Sequence, residues 1–340
     1  MSTPKRLMVV GAGFGAVHSR WLRECPEVSV EYLGFSVDRS RARIVADELN
    51  IPSTTDDPMR IISEGSVDGV VVATPPDTHE HLATAAARAG MTVICDKPLA
   101  GSVAAAERMV SVAGTLGFVT FQWRLHPVVR ALRALHGSGS FGELLHIDLE
   151  FHHDFLSGAS TAWPWRHSRA TATAGTLADQ GVHLFDLLRF VTGAEWRVSD
   201  ADCSVAWNQR THQNSVISCE TEDIAQVRLA SGQVPSAAAR VLASRVTFAD
   251  RAIRVRALWT SGTAEAAIDV EDGSAVLRIA GRTTGEWQTT RYAAQSMNPY
   301  PAILAALNET SRTDVPALFA DGLAAQRMLS DCLCSRKDLN

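Results

Sequence analysis

The sequence predicts an α/β protein: a doubly wound parallel sheet first, then an α+β domain built on a largely antiparallel, open-faced sheet. Three observations predict it. Short, wholly apolar runs alternate with helix-length segments from Leu7 to about Trp123, the pattern of parallel strands buried on both faces with crossover helices between them. Beyond Arg124 single apolar residues alternate with polar ones, as in strands with one wet face. A chain of 340 residues is also long for one core, at roughly 100–200 residues per domain. The predicted domains are residues 1–123 and 124–340.

Leu7–Val10 is a buried strand that runs straight into Gly11-Ala-Gly-Phe-Gly-Ala16 and a helix. A strand at Val28–Ser36, a helix at Arg39–Leu49, a strand at Gly69–Ala73, a helix at Thr78–Ala89 and a strand at Met91–Cys95 follow. That order implies right-handed βαβ crossovers and hence a parallel sheet. A helix at Val103–Leu116 and a strand at Phe118–Trp123 complete the first part. In the second part the pattern predicts a helix at Pro127–His136, a strand at Glu143–Phe155 and a helix at Gly175–Val191. Several β segments then follow, parted by turn signals such as Ala230-Ser-Gly232 and Glu271-Asp-Gly273. Pro301–Arg336 returns to helical periodicity and is expected to pack back on the first domain.

Composition excludes several classes of function. With 46% hydrophobic and 20% charged residues and a formal charge of −5, the chain is ordinary globular material and a poor match for nucleic acid. The six cysteines, Cys25, Cys95, Cys203, Cys219, Cys332 and Cys334, show no ligand spacing and read as thiols of a reducing compartment. No metal is expected. Leu7–Val10 is too short for a signal segment, and no run of about 18 apolar residues occurs. The expected place is the cytoplasm, away from membranes.

Gly11-x-Gly13-x-x-Ala16 fits G-x-G-x-x-G/A, a turn in which the first glycine bends tightly and the second admits a pyrophosphate to the helix N-terminus. With Phe14 and Gly15 inside it, the turn marks a Rossmann domain binding NAD or NADP. The residues after the second strand, Phe35-Ser36-Val37-Asp38-Arg39-Ser40-Arg41, bear on the ribose. If the strand ends at Ser36, Asp38 is a helix N-cap and Arg39 or Arg41 faces a 2′-phosphate; if Asp38 ends the strand, it binds a free 2′-hydroxyl. The reading leans to NADP. Thr74-Pro75-Pro76 cannot extend a strand and forms a rigid corner where a cofactor would lie.

Lys97 stands out in another way. Of 32 basic residues three are lysines, Lys5, Lys97 and Lys337, so 29 are arginines. An internal lysine in such a chain points to a need for a compact or titratable cation.

Further motifs, Ala73-Thr-Pro-Pro-Asp-Thr-His79, Asp96-Lys97-Pro98-Leu99 and Asp179-x-x-x-His183, in this order after the glycine turn, resemble the Gfo/Idh/MocA oxidoreductases over nearly the whole chain. The resemblance implies that Lys97, Asp179 and His183 line the site beside the nicotinamide. Asp96 is a further cofactor-side candidate, and His79, although at a motif position, is read first as structural with a cofactor-side role as the alternative. Two departures appear: Asp96 replaces the family's glutamate, and Thr173-Ala174-Gly175-Thr176 replaces a glycine run. The resemblance also implies a homodimer or homotetramer.

Asp179 and His183, four residues apart on a predicted helix, share a face. Oxidising a secondary alcohol requires removal of the hydroxyl proton while the cofactor takes the hydride. His183 is assigned as general base, Asp179 as the orienting group and Lys97 as the donor polarising the reacting oxygen. Arg124, His153, Asp154, Trp163, Trp165, Arg166 and His167 are further substrate-facing candidates, each equally open to a core or surface role. Sugars, nucleotide sugars or cyclitols are the expected substrates. Competing expectations are an imine or conjugated-bond reductase, a redox-assisted glycosidase and a non-catalytic NAD(P)-sensing regulator.

Overall fold

The computed structural model describes residues 4–232, 237–282, 285–308 and 315–335. The chain divides into two compact units, Met1–Gln122 with Asn298–Gln326, and Trp123–Met297 with Arg327–Asn340.

In the first unit β1 (Lys5–Val10), β2 (Val28–Gly34), β3 (Ser53–Thr55), β4 (Gly69–Val72), β5 (Thr92–Cys95) and β6 (Gly117–Val119) form one parallel sheet in the order β3-β2-β1-β4-β5-β6. The chain reverses its winding between β1 and β4, the switch point outside whose strand ends α/β proteins bind ligands. Leu7, Val9, Leu33, Val71 and Ile94 form the core with Ala42, Val45 and Leu49 of the helix Arg39–Leu49 and with Tyr300, Ile303 and Leu304. Burying each large apolar side chain contributes roughly 1.5–3 kcal/mol.

The helices are α1 (Gly15–Leu22), α2 (Arg39–Leu49), α3 (Pro58–Ser63), α4 (His79–Arg88) and α5 (Val103–Ala113). Caps explain where they start: Asp38 accepts from the Arg41 N–H, Asp57 from the Arg60 N–H and Ser102 from the Ala105 N–H. β3 and α3 were not expected from the sequence, because three and six residues are too few to show a period. β6 stops at Val119 rather than Trp123, since the chain turns into a 3₁₀ segment at Gln122–Leu125.

In the second unit an eight-stranded sheet has the order β16-β15-β14-β13-β7-β12-β11-β8. Its strands are β7 (Leu144–His152), β8 (Trp196–Ser204), β11 (Ile224–Ser231), β12 (Ala238–Ser244), β13 (Ala252–Trp259), β14 (Gly262–Asp269), β15 (Ala275–Gly281) and β16 (Gln288–Tyr292); β9 (Gln209–His212) and β10 (Ser215–Ser218) form a separate hairpin. β7 and β12 pair in parallel, whereas every other neighbour in the large sheet is antiparallel. Alternation sets the faces: Ile253, Val255, Ala257 and Trp259 of β13 are buried, with Arg254, Arg256 and Leu258 between them less so.

Helices α6 (Pro127–Gly137), α7 (Arg169–Ala172) and α8 (Val182–Thr192) belong to this unit. The helix expected over Gly175–Val191 begins as a π-turn at Leu177–Gly181 before α8, and Gly193 closes it in the left-handed region. Of the expected helical stretch 301–336, helices cover Tyr300–Leu307 and Phe319–Cys334, while residues 309–314 and 336, like Lys337, lie outside the described residues. Among the described residues no helix is long and apolar enough to cross a membrane.

Candidate active site

β1 delivers Gly11 at φ +120°. A Cβ there would lie 2.3 Å from the Ala73 carbonyl oxygen at the end of β4, so only glycine fits. Its N–H donates to the Gly34 carbonyl at 2.8 Å, tying the turn to β2. At Gly15 a Cβ would come within 3.0 Å of Val9, a close helix–strand approach, and Ala16 is buried. At Gly13 a Cβ would meet nothing within 4 Å. Bare backbone therefore borders open space at the start of α1, and the residues present fit a dinucleotide pyrophosphate. Phe14, 45% exposed, sits edge-on to His18 at 5.3 Å and to Trp21. His18 is completely buried, 2.8 Å from the Tyr300 hydroxyl, and burial lowers its pKa.

β2 ends at Gly34, and Asp38 accepts the Arg41 N–H at 2.8 Å as a helix cap. Ser36, Arg39 and Arg41 are exposed, and Arg39 pairs with Asp56 at 2.7 Å. At the corner after β4 the Thr78 hydroxyl bonds Thr74 Oγ1 at 2.7 Å and the Pro75 carbonyl at 2.8 Å. His79, whose alternative role lies on the cofactor side, is fully buried with Nε2 2.7 Å from the Thr74 carbonyl and Nδ1 3.2 Å from that of Leu99. Both ring nitrogens face main chain, so it braces the loops after β4 and β5 and presents no atom to a ligand. Asp96 Oδ1 accepts from the Lys97 N–H and the Thr120 hydroxyl, each at 2.8 Å. This fixes the loop that carries Lys97, half-buried and joined to Pro98 by a cis peptide bond.

In the second unit Asp179 lies on the π-turn and His183 in the first turn of α8, buried with its ring 6.2 Å from Phe151. The turn is built around Glu222, whose Oε1 accepts the N–H groups of Gly175 at 2.7 Å and Leu177 at 3.2 Å. A Cβ on Gly175 would lie 1.9 Å from the Glu222 carbonyl oxygen. That approach accounts for the one glycine kept in the Thr173–Thr176 stretch. Arg166 Nη1 donates to Asp179 Oδ1 at 2.6 Å. The Arg166 guanidinium lies 4.6 Å from the Trp165 ring centre, with Phe155 and Trp163 also flanking it. Asp179, Arg166, Trp165 and Trp163 thus come together, and both tryptophans are partly exposed.

Arg124 does not join them. It is 3% exposed and forms a two-pronged pair with Asp186, beneath the Phe190 ring. A charge enclosed in this way is consumed by its partner, so the candidate substrate role is replaced by a structural one. His153 ends β7: its Nδ1 accepts the N–H groups of Asp154 at 2.9 Å and Phe155 at 3.2 Å, which turns the chain out of the ladder three residues earlier than expected. Asp154 pairs with Arg251 at 2.7 Å. His167 is buried against the Thr161 hydroxyl at 3.1 Å, its pKa pushed down to about 4 by burial and by Arg245, Arg210 and Arg166.

The sequence reading missed Arg210, Glu222, Asp223 and Arg245, all buried. Asp223 Oδ1 accepts from Arg245 Nε at 2.9 Å and Arg210 Nη2 at 3.4 Å. A signal was present. Asp223 precedes Ala225, Val227 and Leu229 in phase, and Arg245 follows Ala239, Val241 and Ala243, so each places a charge on a buried stripe.

Acid should expose the cost of these neutral histidines. His18, His79, His126, His153 and His167 all have pKa values lowered chiefly by burial. The unfolded chain therefore binds protons first, and the stability they contribute is full above the ordinary histidine pKa of about 6.5 and is lost as pH falls from there. For His167 the loss continues to about pH 4. Urea midpoints measured between those limits should decline, and His167→Gln should flatten the decline.

Residues 5–122 match the family model for the oxidoreductase family with NAD-binding Rossmann fold, and residues 129–265 match the GFO/IDH/MocA C-terminal domain. The chain is 26% identical over 196 residues to levoglucosan dehydrogenase of Pseudarthrobacter phenanthrenivorans, covering 54% of this chain and 50% of that protein. It is 31% identical over 194 residues to the rhizopine catabolism protein MocA of Rhizobium meliloti, covering 56% and 58%. It is 28% identical over 206 residues to myo-inositol 2-dehydrogenase of Thermotoga maritima, covering 59% and 58%. The matched region thus spans only 50–58% of these relatives' own length. Among solved structures the fold resembles levoglucosan dehydrogenase in complex with NADH and levoglucosan, with TM-score 0.86 at 20% identity over 98% of this chain and 97% of that one. An oxidoreductase domain protein from Kribbella flavida gives TM-score 0.85 at 24% identity with the same coverage. Two family models in tandem, on a glycine turn and a D-x-x-x-H segment placed as described, lead to one conclusion: the chain belongs to the GFO/IDH/MocA oxidoreductase family.

Proposed function

We propose that the protein is an NAD(P)-dependent dehydrogenase that oxidises a secondary hydroxyl of a sugar, nucleotide sugar or cyclitol, or reduces the corresponding ketone. The observation that carries the reading is Asp179 and His183 on one short segment, the carboxylate partly exposed beside Arg166, Trp163 and Trp165. Exposed indole faces suit the C–H faces of a ring, and a carboxylate accepts hydroxyl hydrogens. The names of relatives, levoglucosan and inositol dehydrogenases, support the same substrate class.

When bound, the nicotinamide supplies the hydride acceptor. The protein handles the proton: His183 takes it from the reacting hydroxyl, Lys97 donates to the oxygen as negative charge develops, and Asp179 holds a neighbouring hydroxyl. Gly11, Gly13, Phe14, Gly15 and Ala16 would hold the pyrophosphate, with Thr74, Pro75 and Pro76 alongside. The test is incubation of purified protein with oxidised cofactor and a panel of polyols. A product two hydrogens lighter by mass spectrometry supports the reading; cofactor binding without such a product on any polyol favours a sensor.

For the cofactor we infer NADP. Asp38 is committed to capping α2, Ser36 is exposed, and the Arg39–Asp56 pair is a surface ion pair of little strength that a phosphate can displace. Ser36→Asp should weaken NADPH binding by about tenfold or more through charge repulsion and lost hydrogen bonds, and tighten NADH binding. Fluorescence titration with both cofactors reads the switch; unchanged preference would count against the assignment.

A homodimer or homotetramer through the open face of the large sheet completes the proposal. Arg240, Asp148, Arg256, Glu265 and Arg278 form one cross-strand row of alternating charge on that face, a pattern able to meet its own copy across a twofold axis. Light scattering at low and high salt reads the mass; a monomer at both would exclude it.

A further inference from the structure

Behind Asp179 lies a line of charges that the proposed chemistry does not yet use. Arg245 occupies a buried phase of the sheet and is 0% exposed. Its Nε donates to Asp223 Oδ1 at 2.9 Å and its Nη2 to Thr221 Oγ1 at 2.9 Å. The remaining nitrogen, Nη1, is buried without a hydrogen-bond partner and lies 3.9 Å from Asp179 Oδ2. Asp223 is well supplied by other donors: Arg210 Nη2 reaches Oδ1 at 3.4 Å, and the N–H groups of Ala206 and Trp207 reach Oδ2 at 2.9 and 3.4 Å. The order Arg210, Asp223, Arg245, Asp179, Arg166 therefore alternates in sign from the buried interior to the partly exposed Arg166.

A buried N–H without an acceptor is destabilising. If Arg245 served only to pair Asp223, an apolar side chain with Asp223 left to Arg210 would serve at lower cost. The third nitrogen makes sense as a fixed positive charge aimed at a second carboxylate. We propose that Arg245 is a positioning residue for Asp179: anchored by Asp223 and Thr221, it holds the Asp179 carboxylate ionised and oriented from behind while Arg166 holds it from the exposed side, so that the remaining lone pairs can accept substrate hydroxyls. The proposal rests on Asp179 facing substrate. Arg245 itself, wholly buried, does not touch substrate.

The other charged groups around the π-turn are accounted for. Arg166 pairs with Asp179 from the exposed side, Glu222 is engaged by the Gly175 and Leu177 amides, and His183 follows on α8. His167, packed against the same arginines, is held neutral down to about pH 4.

The experiment follows Asp179 directly, without substrate. Full-length protein labelled with ¹³C at aspartate carboxyls is titrated by NMR, with Asp179→Asn identifying the Asp179 signal. In Arg245→Gln the Asp179 midpoint should move to higher pH by about one unit, because an opposite charge within reach of a carboxylate lowers its pKa by about that much or more. Arg245→Lys should restore most of the shift. An unmoved midpoint in Arg245→Gln overturns the proposal. If that variant does not fold, Thr221→Val provides the second test: it removes the hydroxyl that anchors Arg245 Nη2 without altering any charge, so the Asp179 midpoint should move to higher pH by a smaller step, and an unmoved midpoint again overturns it. The outcome is separable from the proposed reaction, since full turnover by Asp179→Asn would overturn the substrate role of Asp179 while leaving the titration result standing.

Discussion

Lys97→Arg should bind NADP(H) within a few-fold of the parent and lose about a thousandfold in kcat, within the range that losing a preorganised donor to developing charge costs. The expectation rests on shape and on charge chemistry. Asp96 pins the Lys97 main chain through the Lys97 N–H and is itself held by Thr120, so the ammonium leaves from a fixed point. Lysine places a compact charge on a flexible stem, whereas arginine places a planar fork that cannot release a proton. In a chain with three lysines among 32 basic residues, arginine is the residue this protein uses for generic positive charge. Cofactor binding by Lys97→Arg, read by fluorescence, shows the fold intact, and stopped-flow absorbance of the nicotinamide then reads the chemistry. Near-normal kcat would remove Lys97 from the reaction.

Gly11→Ala should abolish cofactor binding and destabilise the first unit by about 3 kcal/mol or more, since the new Cβ meets main chain in a backbone conformation that L residues avoid. The atom it meets is the Ala73 carbonyl oxygen at 2.3 Å. No rotamer relieves that clash, because both partners are backbone at the ends of adjacent strands. Gly13→Ala provides the contrast. Its Cβ meets nothing within 4 Å, so Tm should hold while NADPH affinity drops about tenfold or more, as the methyl takes space against which a phosphate would lie. Thermal melts and NADPH titrations of both variants check the pair; equal behaviour would show that the turn does not divide its labour in this way.

The parts of the fold that repeat were legible in the sequence. Leu7–Val10, Gly69–Val72 and Val93–Cys95 are unbroken apolar runs because parallel strands are buried on both faces, and all of their residues are buried. Asp38 was legible as a cap but ambiguous as a ribose ligand, and the end of β2 at Gly34 decides its structural role. Arg124 stayed open between ligand and core in the sequence, because a charge near a domain boundary is ambiguous until its distant partner is known; Asp186 stands 62 residues away. His79, at a motif position yet read first as structural, holds the loops together from inside. The line from Arg210 to Arg166 was only partly readable: the phase of Asp223 and Arg245 was visible, but their convergence on Asp179 depends on β9, β11 and β12 folding together.

Under the proposed function Lys97 serves proton and hydride transfer, beyond dinucleotide binding alone. The most direct measurement is absorbance of the reduced nicotinamide with a polyol panel, run side by side on the parent protein and Lys97→Arg at saturating NADP⁺. Reduced cofactor should appear with at least one sugar or cyclitol in the parent and almost none in the variant. Equal signals from both proteins, or none from the parent on any polyol despite cofactor binding, would contradict this reading.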